Sequence, residues 1–207
     1  MIIQWLGNSS FKIKSENKVI YIDPYDFKDD EKADIILVTH SHNDHFSKEL
    51  IQKLSVDDTV IVGPINVANQ IQAIGMRNGD KQEIDGMKIE AVCAYNISKS
   101  NHPKEEGNGY IFEIEGKLLY HAGDTDLIPE MNFFEADLVM LPIGGTYTMG
   151  AIEAASAAKI IQPRLAIPMH WGKFVGHEED ALLFKEEIYK NSEIEVKILQ
   201  PGDSLKF

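Results

Sequence analysis

The stretch His40-Ser41-His42-Asn43-Asp44-His45 follows directly on the apolar run ADIILV and draws three of the chain's 7 histidines, with an aspartate, into one short segment. The run before it, residues 33–38, reads as a fully buried strand. A turn after such a strand is served by Gly, Asn or Ser, and solubility by any polar residue. Three imidazoles gathered at one point repel one another when protonated and gain nothing as a solvated loop. Imidazole nitrogen and carboxylate oxygen together suit a borderline divalent ion, and zinc takes three or four of them at about 2.0–2.2 Å. The spacing therefore predicts a metal-binding loop. His40 and His42 point the same way from an extended segment, and Asp44 and His45 reach the same place if the chain turns into a helix.

The surrounding pattern supplies the scaffold. Short strand-like runs come first, at 2–5, 10–14 and 18–23, separated by GNS and SEN turn signals. After the histidine cluster a helix is expected over about 47–54, capped by Ser47, with Leu50, Ile51 and Leu54 on its apolar face. TVIVG reads as a strand, and NVANQIQAI as a helix stopped at Gly75. From 82 to 121 the chain is strand-rich, with MKIEAVCA, GYIFEI and KLLYH around the polar loop NISKSNHPKEEGN. ADLVMLPIG then echoes ADIILVTHS, and AIEAASAAKII (helix), RLAIPMH (strand), HEEDALLFKEEIYKN (surface helix) and EVKIL (closing strand) follow. Two sheets covered by helices, a four-layer αββα sandwich forming a single domain over 1–207, is the expected architecture.

Totals exclude some classes of function. A net charge of -13 disfavours a protein that wraps nucleic acid or lies on anionic lipid, while an anionic small substrate stays open because bound cations invert the local field. One cysteine, Cys93, allows no intrachain disulfide, and neither a signal peptide nor a long apolar run is evident, so the cytoplasm is the expected compartment, without stable membrane insertion. Oligomerisation is left open.

Beyond the cluster, His102 lies in the polar loop, Asp124 in HAGDTD and His170 in PMHWG, each at or near a strand end, where parallel α/β sheets place their chemistry. This ligand count permits two sites: His40, His42 and His102 in one, Asp44, His45 and His170 in the other, with Asp124 bridging and a position open for a shared water. Two cations so placed turn that water into a hydroxide aimed at a polarised carbonyl or phosphorus centre, which is hydrolysis.

The set HSHNDH, GDTD and a strand-terminal histidine resembles the metallo-β-lactamase superfamily, and in particular its small metal-dependent hydrolases related to the ascorbate-phosphate lactonases and to the phosphodiesterases that cleave N-acyl phosphatidylethanolamine. The resemblance runs through WLGNSSF, IDPY, HSHNDH, GNGYIFEI, HAGDTD, PIGGTYTM and IPMHWG, nearly the whole chain. It implies an αββα fold, the same seven metal ligands in the same division, and catalytic roles for Asp44 and Asp124. His121 competes with His102 as a ligand or stands behind the ligands. Asn8 occupies a position where relatives often carry histidine. No insertion of the kind used by RNA-processing relatives is present.

Several neighbouring residues carry narrower expectations. Asp23, ending a strand, either orients a ligand histidine or makes a turn. The glycines of GGTYTM either expose Thr146 or Tyr147 to substrate or serve tight packing. Cys93 is expected in the core, His177 at the surface, Lys104 on an exposed loop, and Trp171 as pocket wall or packing. The function read from all this is hydrolysis of a small ester, lactone or phosphodiester with two divalent ions, zinc first and manganese or iron as alternatives. A metal-containing binding or sensor protein and an iron-dependent oxidoreductase are the rival readings.

Overall fold

The apolar alternation of the first 22 residues becomes an antiparallel meander of β1 (Ile2–Gly7), β2 (Ser10–Lys14) and β3 (Val19–Ile22). It ends in three strands added in parallel: β4 (Ile35–Leu37), β5 (Val60–Pro64) and β6 (Ile74–Met76). The C-terminal strand Ser204–Lys206 pairs with β1 and completes seven strands. The computed structural model describes residues 1–207 as two units, and this sheet belongs to the first, Met1–Arg77 with Leu199–Phe207.

Helix α1 (Lys48–Leu54) begins where expected: the Ser47 side chain accepts from the Leu50 N–H, and Leu50, Ile51 and Leu54 are buried. They pack with Tyr21, Ile36, Val38, Phe46 and Val67. Each such side chain, fully buried, contributes roughly 1.5–3 kcal/mol. The helix expected over NVANQIQAI forms only as a single turn, α2 (Ile65–Ala68). Residues 74–76 instead gain ladder partners on β5, with Ile74 opposite Val62 and Met76 opposite Pro64. Gly75 is no helix stop. A Cβ there would lie 2.8 Å from Ile65 Cδ1, so the glycine lets α2 lie close on β6.

The second unit, Asn78–Ile198, repeats the scheme. Strands β7 (Lys81–Ile84), β8 (Met87–Ala94), β9 (Gly107–Ile114) and β10 (Lys117–His121) are antiparallel. β11 (Leu138–Pro142), β12 (Leu165–Met169) and the short β13 (Glu195–Val196) then follow β10 in parallel. EVKIL is thus a strand over two residues only. Helix α3 (Ala151–Ile161) buries Ala151, Ala154, Ala155, Ala157 and Ala158, side chains small enough for close approach, and packs on α4 (Glu178–Tyr189). His177 caps α4 at the surface, its N–H donating to Asp180 Oδ2 at 2.8 Å. No helix is long and apolar enough to cross a membrane.

This topology positions the site. In each sheet the parallel strands present their C-terminal ends along one edge, and the loops leaving that edge carry the polar residues singled out above.

Candidate metal centre

In the first unit, β3 and β4 run in parallel with Ile22 opposite Leu37, so Asp23 and Thr39 emerge at the same edge. Asp23 is wholly buried at φ 46, a left-handed conformation that a non-glycine residue adopts at a cost. Its carboxylate accepts from the Thr39 N–H at 2.7 Å, from the Thr39 hydroxyl at 2.6 Å, and from His45 Nδ1 at 2.8 Å.

These bonds fix two tautomers. A carboxylate only accepts, so His45 Nδ1 carries a proton, and in the neutral ring the lone pair is on Nε2. The Thr39 hydroxyl spends its one proton on Asp23 and must therefore accept from His40 Nδ1, 3.0 Å away, so that neutral His40 likewise has its lone pair on Nε2. His42 brings Nδ1 to 3.1 Å from His40 Nε2, and Asp44 brings Oδ2 to 3.5 Å from His45 Nε2. Asn8, at φ 49 after Gly7 in the β1–β2 turn, donates from Nδ2 to both Asp44 O and Asp44 Oδ2 at 3.2 Å.

In the second unit, Asp124, Gly144 and His170 leave the ends of three successive parallel strands, β10, β11 and β12. The β8–β9 loop reaches the same edge and delivers His102. Asp124 Oδ2 lies 3.3 Å from His102 Nε2 and 3.2 Å from His170 Nε2, and all three residues are buried. His170 sits at φ 58. Gly144 makes room for it: a Cβ on residue 144 would lie 2.7 Å from the His170 carbonyl oxygen and 2.5 Å from Val175 Cγ2. The first glycine of GGTYTM is therefore a packing requirement of His170.

The donor atoms fit a small divalent cation. Two ligands held about 2.0–2.1 Å from a tetrahedral ion stand roughly 3.3–3.4 Å apart. The separations within the two units, 3.1, 3.5, 3.3 and 3.2 Å, are of that size. All are nitrogen or carboxylate oxygen, the donors of zinc, manganese and iron sites.

The structure brings His40, His42, Asp44 and His45 together in one unit, and His102, Asp124 and His170 in the other. His121 is buried, and its Nδ1 accepts the Gly123 N–H at 3.2 Å, so that lone pair serves the turn carrying Asp124. Asp23 orients a histidine, the first of its two expected roles. Trp171 is buried with its indole N–H donating to Pro168 O at 3.2 Å. Lys104 is exposed and paired with Glu130 at 2.9 Å, beside the Tyr95 ring. Cys93 is half-buried; burial, with the Glu130 carboxylate, pushes its thiol up, away from thiolate chemistry.

Sequence reasoning did not single out Thr39, Asn96 or Asp126. Thr39 adjoins the cluster, and Asp126 follows Asp124 by two positions in GDTD, a signal that was available. Asn96 lies in a polar loop where nothing distinguishes it.

The comparisons with known proteins give the family and the fold. Residues 2–170 match the model of the beta-lactamase superfamily domain. A UPF0173 metal-dependent hydrolase of Thermococcus kodakarensis is 36% identical over 99% of this chain and 98% of its own length. Another, from Methanopyrus kandleri, is 33% identical over 99% of each. Among solved structures, a protein of Parabacteroides distasonis is 35% identical with TM-score 0.86, over 95% of this chain and 91% of that one. Igni18, a metallo hydrolase of Ignicoccus hospitalis, is 25% identical with TM-score 0.83, over 100% and 98%. The two mixed sheets with their helices are thus the metallo-β-lactamase fold. The chain belongs to the metallo-β-lactamase superfamily, as one of its UPF0173 metal-dependent hydrolases.

Proposed function

We propose that the chain uses two divalent cations, zinc first and manganese or iron as alternatives, to hydrolyse a small ester, lactone or phosphodiester. His40, His42 and His102 are assigned to one ion, Asp44, His45 and His170 to the other, and Asp124 to both. The observation that carries the reading is Asp124 Oδ2, 3.3 Å from His102 Nε2 and 3.2 Å from His170 Nε2: one carboxylate oxygen stands at ligand-pair spacing from two histidines assigned to different ions.

When bound, paired cations acidify a water for attack at neutral pH and polarise the oxygen of the electrophile. The side chains do the rest. Asp44, steadied by the Asn8 amide at 3.2 Å, accepts the hydrogen bond of the attacking water and so aims its lone pair. Asp23 and Thr39 keep His45 and His40 in the tautomers that present Nε2. The substrate is a small molecule, and the charge of -13 weighs against nucleic acid.

The test is reconstitution of the purified chain with zinc or manganese, elemental mass spectrometry of the product, and a panel of carboxylic esters, lactones and phosphodiesters. The expected result is two ions per chain with turnover in at least one class. Fewer than two ions and no turnover, with tight binding of a metabolite that is not converted, would replace the hydrolase reading with a binding protein.

A further inference from the structure

One buried polar network of the second unit lies behind a proposed ligand. Asn96 Oδ1 accepts from the His102 backbone N–H at 3.0 Å and stands 3.0 Å from His102 Nδ1. A backbone N–H can only donate, so the atom facing it is the amide oxygen, and the same oxygen facing Nδ1 requires the proton on Nδ1. The opposite end of the amide agrees: Asn96 Nδ2 donates to Asp126 Oδ1 at 3.1 Å and to Tyr147 O at 2.9 Å, both acceptors. The orientation of Asn96 is thus determined twice.

Asp126 is the hub that holds it. Besides the Asn96 amide, its carboxylate accepts from the Ile97 N–H at 2.9 Å and from Lys99 Nζ at 2.5 Å, while Lys99 also donates to Thr148 O at 3.2 Å. Asp126, Asn96 and His102 are 5%, 8% and 8% exposed, so these bonds are largely sheltered from competing water. Backbone bonds close the arrangement, with the Asn96 N–H donating to His102 O at 2.8 Å and the Asp126 N–H to Tyr95 O at 2.9 Å.

We infer that Asn96 is a positioning residue that fixes the Nδ1–H tautomer of His102 and so presents Nε2 to an ion, and that Asp126 and Lys99 hold Asn96 for that task. The inference rests on the dinuclear reading only in taking His102 as a ligand. It differs from the Asp23–His45 pair in kind. There a charged carboxylate holds the ring, whereas here a neutral amide does so and the charge stands one residue further back. The same amide ties His102 to the 144–149 loop through the Tyr147 carbonyl.

The test uses the full chain with nitrogen-15-labelled histidine. After chelator treatment, at a pH where the ring is neutral, long-range proton–nitrogen spectra report which His102 nitrogen carries the proton. Zinc competition on the same samples reports affinity. The wild-type chain is expected to show His102 as Nδ1–H. Asn96→Ala is expected to lose that preference and to weaken zinc about 10–100-fold. Asn96→Asp keeps an acceptor opposite His102 Nδ1 but sets a carboxylate against Asp126 Oδ1 and Tyr147 O. It is expected to keep the Nδ1–H tautomer that Asn96→Ala loses, whatever it does to the melting temperature. If Asn96→Ala keeps both the tautomer and the affinity, or only lowers the melting temperature, the inference is overturned. A His102→Ala control separates the two readings. Unchanged zinc affinity in that variant means that His102 is no ligand and the dinuclear reading falls. Weakened affinity there, with none lost in Asn96→Ala, overturns the Asn96 inference alone.

Discussion

Replacing Asp23 by asparagine changes one oxygen to an amide nitrogen at a wholly buried position, and the structure limits what the protein can do about it. If the new NH2 takes the place of Oδ1, it faces the Thr39 N–H at 2.7 Å, two donors in contact. The backbone cannot turn away, and a buried donor left unmatched costs about 1–3 kcal/mol. If it takes the place of Oδ2, it faces the Thr39 hydroxyl at 2.6 Å and His45 Nδ1 at 2.8 Å. The hydroxyl can rotate to accept, but it then donates to His40 Nδ1, and both His40 and His45 must move their protons to Nε2, the atoms assigned to metal. Either placement carries a penalty. Asp23→Asn is therefore expected to lower the stability of the metal-free chain by no more than about 3 kcal/mol. It should also weaken zinc about 10–100-fold, as loss of a histidine's hydrogen-bond partner typically does. Guanidinium unfolding after chelation measures the first and competition with a chromogenic chelator the second. Zinc affinity within about threefold of wild type would refute the tautomer argument.

Three further outcomes follow from packing and charge. Gly144→Ala forces a methyl to 2.5 Å from Val175 Cγ2 and 2.7 Å from the His170 carbonyl; a loss of about 1–3 kcal/mol is expected in thermal unfolding, with weakened zinc, and an unchanged melting temperature would count against the close approach. The Tyr120 hydroxyl is buried without a hydrogen-bond partner, and burial pushes its pKa up; Tyr120→Phe is expected to be neutral or stabilising by up to about 1 kcal/mol, and a loss beyond that in denaturant unfolding would reveal a bond not accounted for. Burial pushes the Asp29 carboxyl up, but the Lys12 ammonium at 2.6 Å and the Glu31 N–H outweigh it and hold the group below 3.8. A depressed folded pKa means that the native state releases this proton first, so the stabilisation is present above about pH 4 and lost as pH falls through the folded value. Lys12→Met should flatten that acid-side loss in unfolding free energy measured against pH, and an unchanged slope would exclude the pairing as its source.

Much of this was legible in the sequence because the signals were local. The Ser47 cap and the face of Leu50, Ile51 and Leu54 are set by neighbours a few residues away and form as read, and the rings of His40, His42 and His45 lie together as their spacing suggests. NVANQIQAI misled for the opposite reason. Its spacing suits a helix, but Ile74, Gly75 and Met76 find partners on β5, a pairing that no window over 66–75 contains. The residues proposed as ligands stand out by type, and the residues behind them less well. Asp23 carried a signal as a carboxylate ending a strand, whereas Asn96 is one polar residue among many in its loop until the fold brings it to His102. Gly144 could be read as packing or as substrate access. Only the positive φ of His170 and the approach of its carbonyl decide that glycine is required there.

The proposed two-ion centre requires Asp124 to serve both ions, and the most direct measurement is the zinc content of Asp124→Ala beside wild type after equal reconstitution and gel filtration, by elemental mass spectrometry. The expected result is two ions per wild-type chain and neither retained by the variant, with hydrolysis abolished. A variant that keeps both ions and normal turnover would contradict the bridging role and the shared centre built on it.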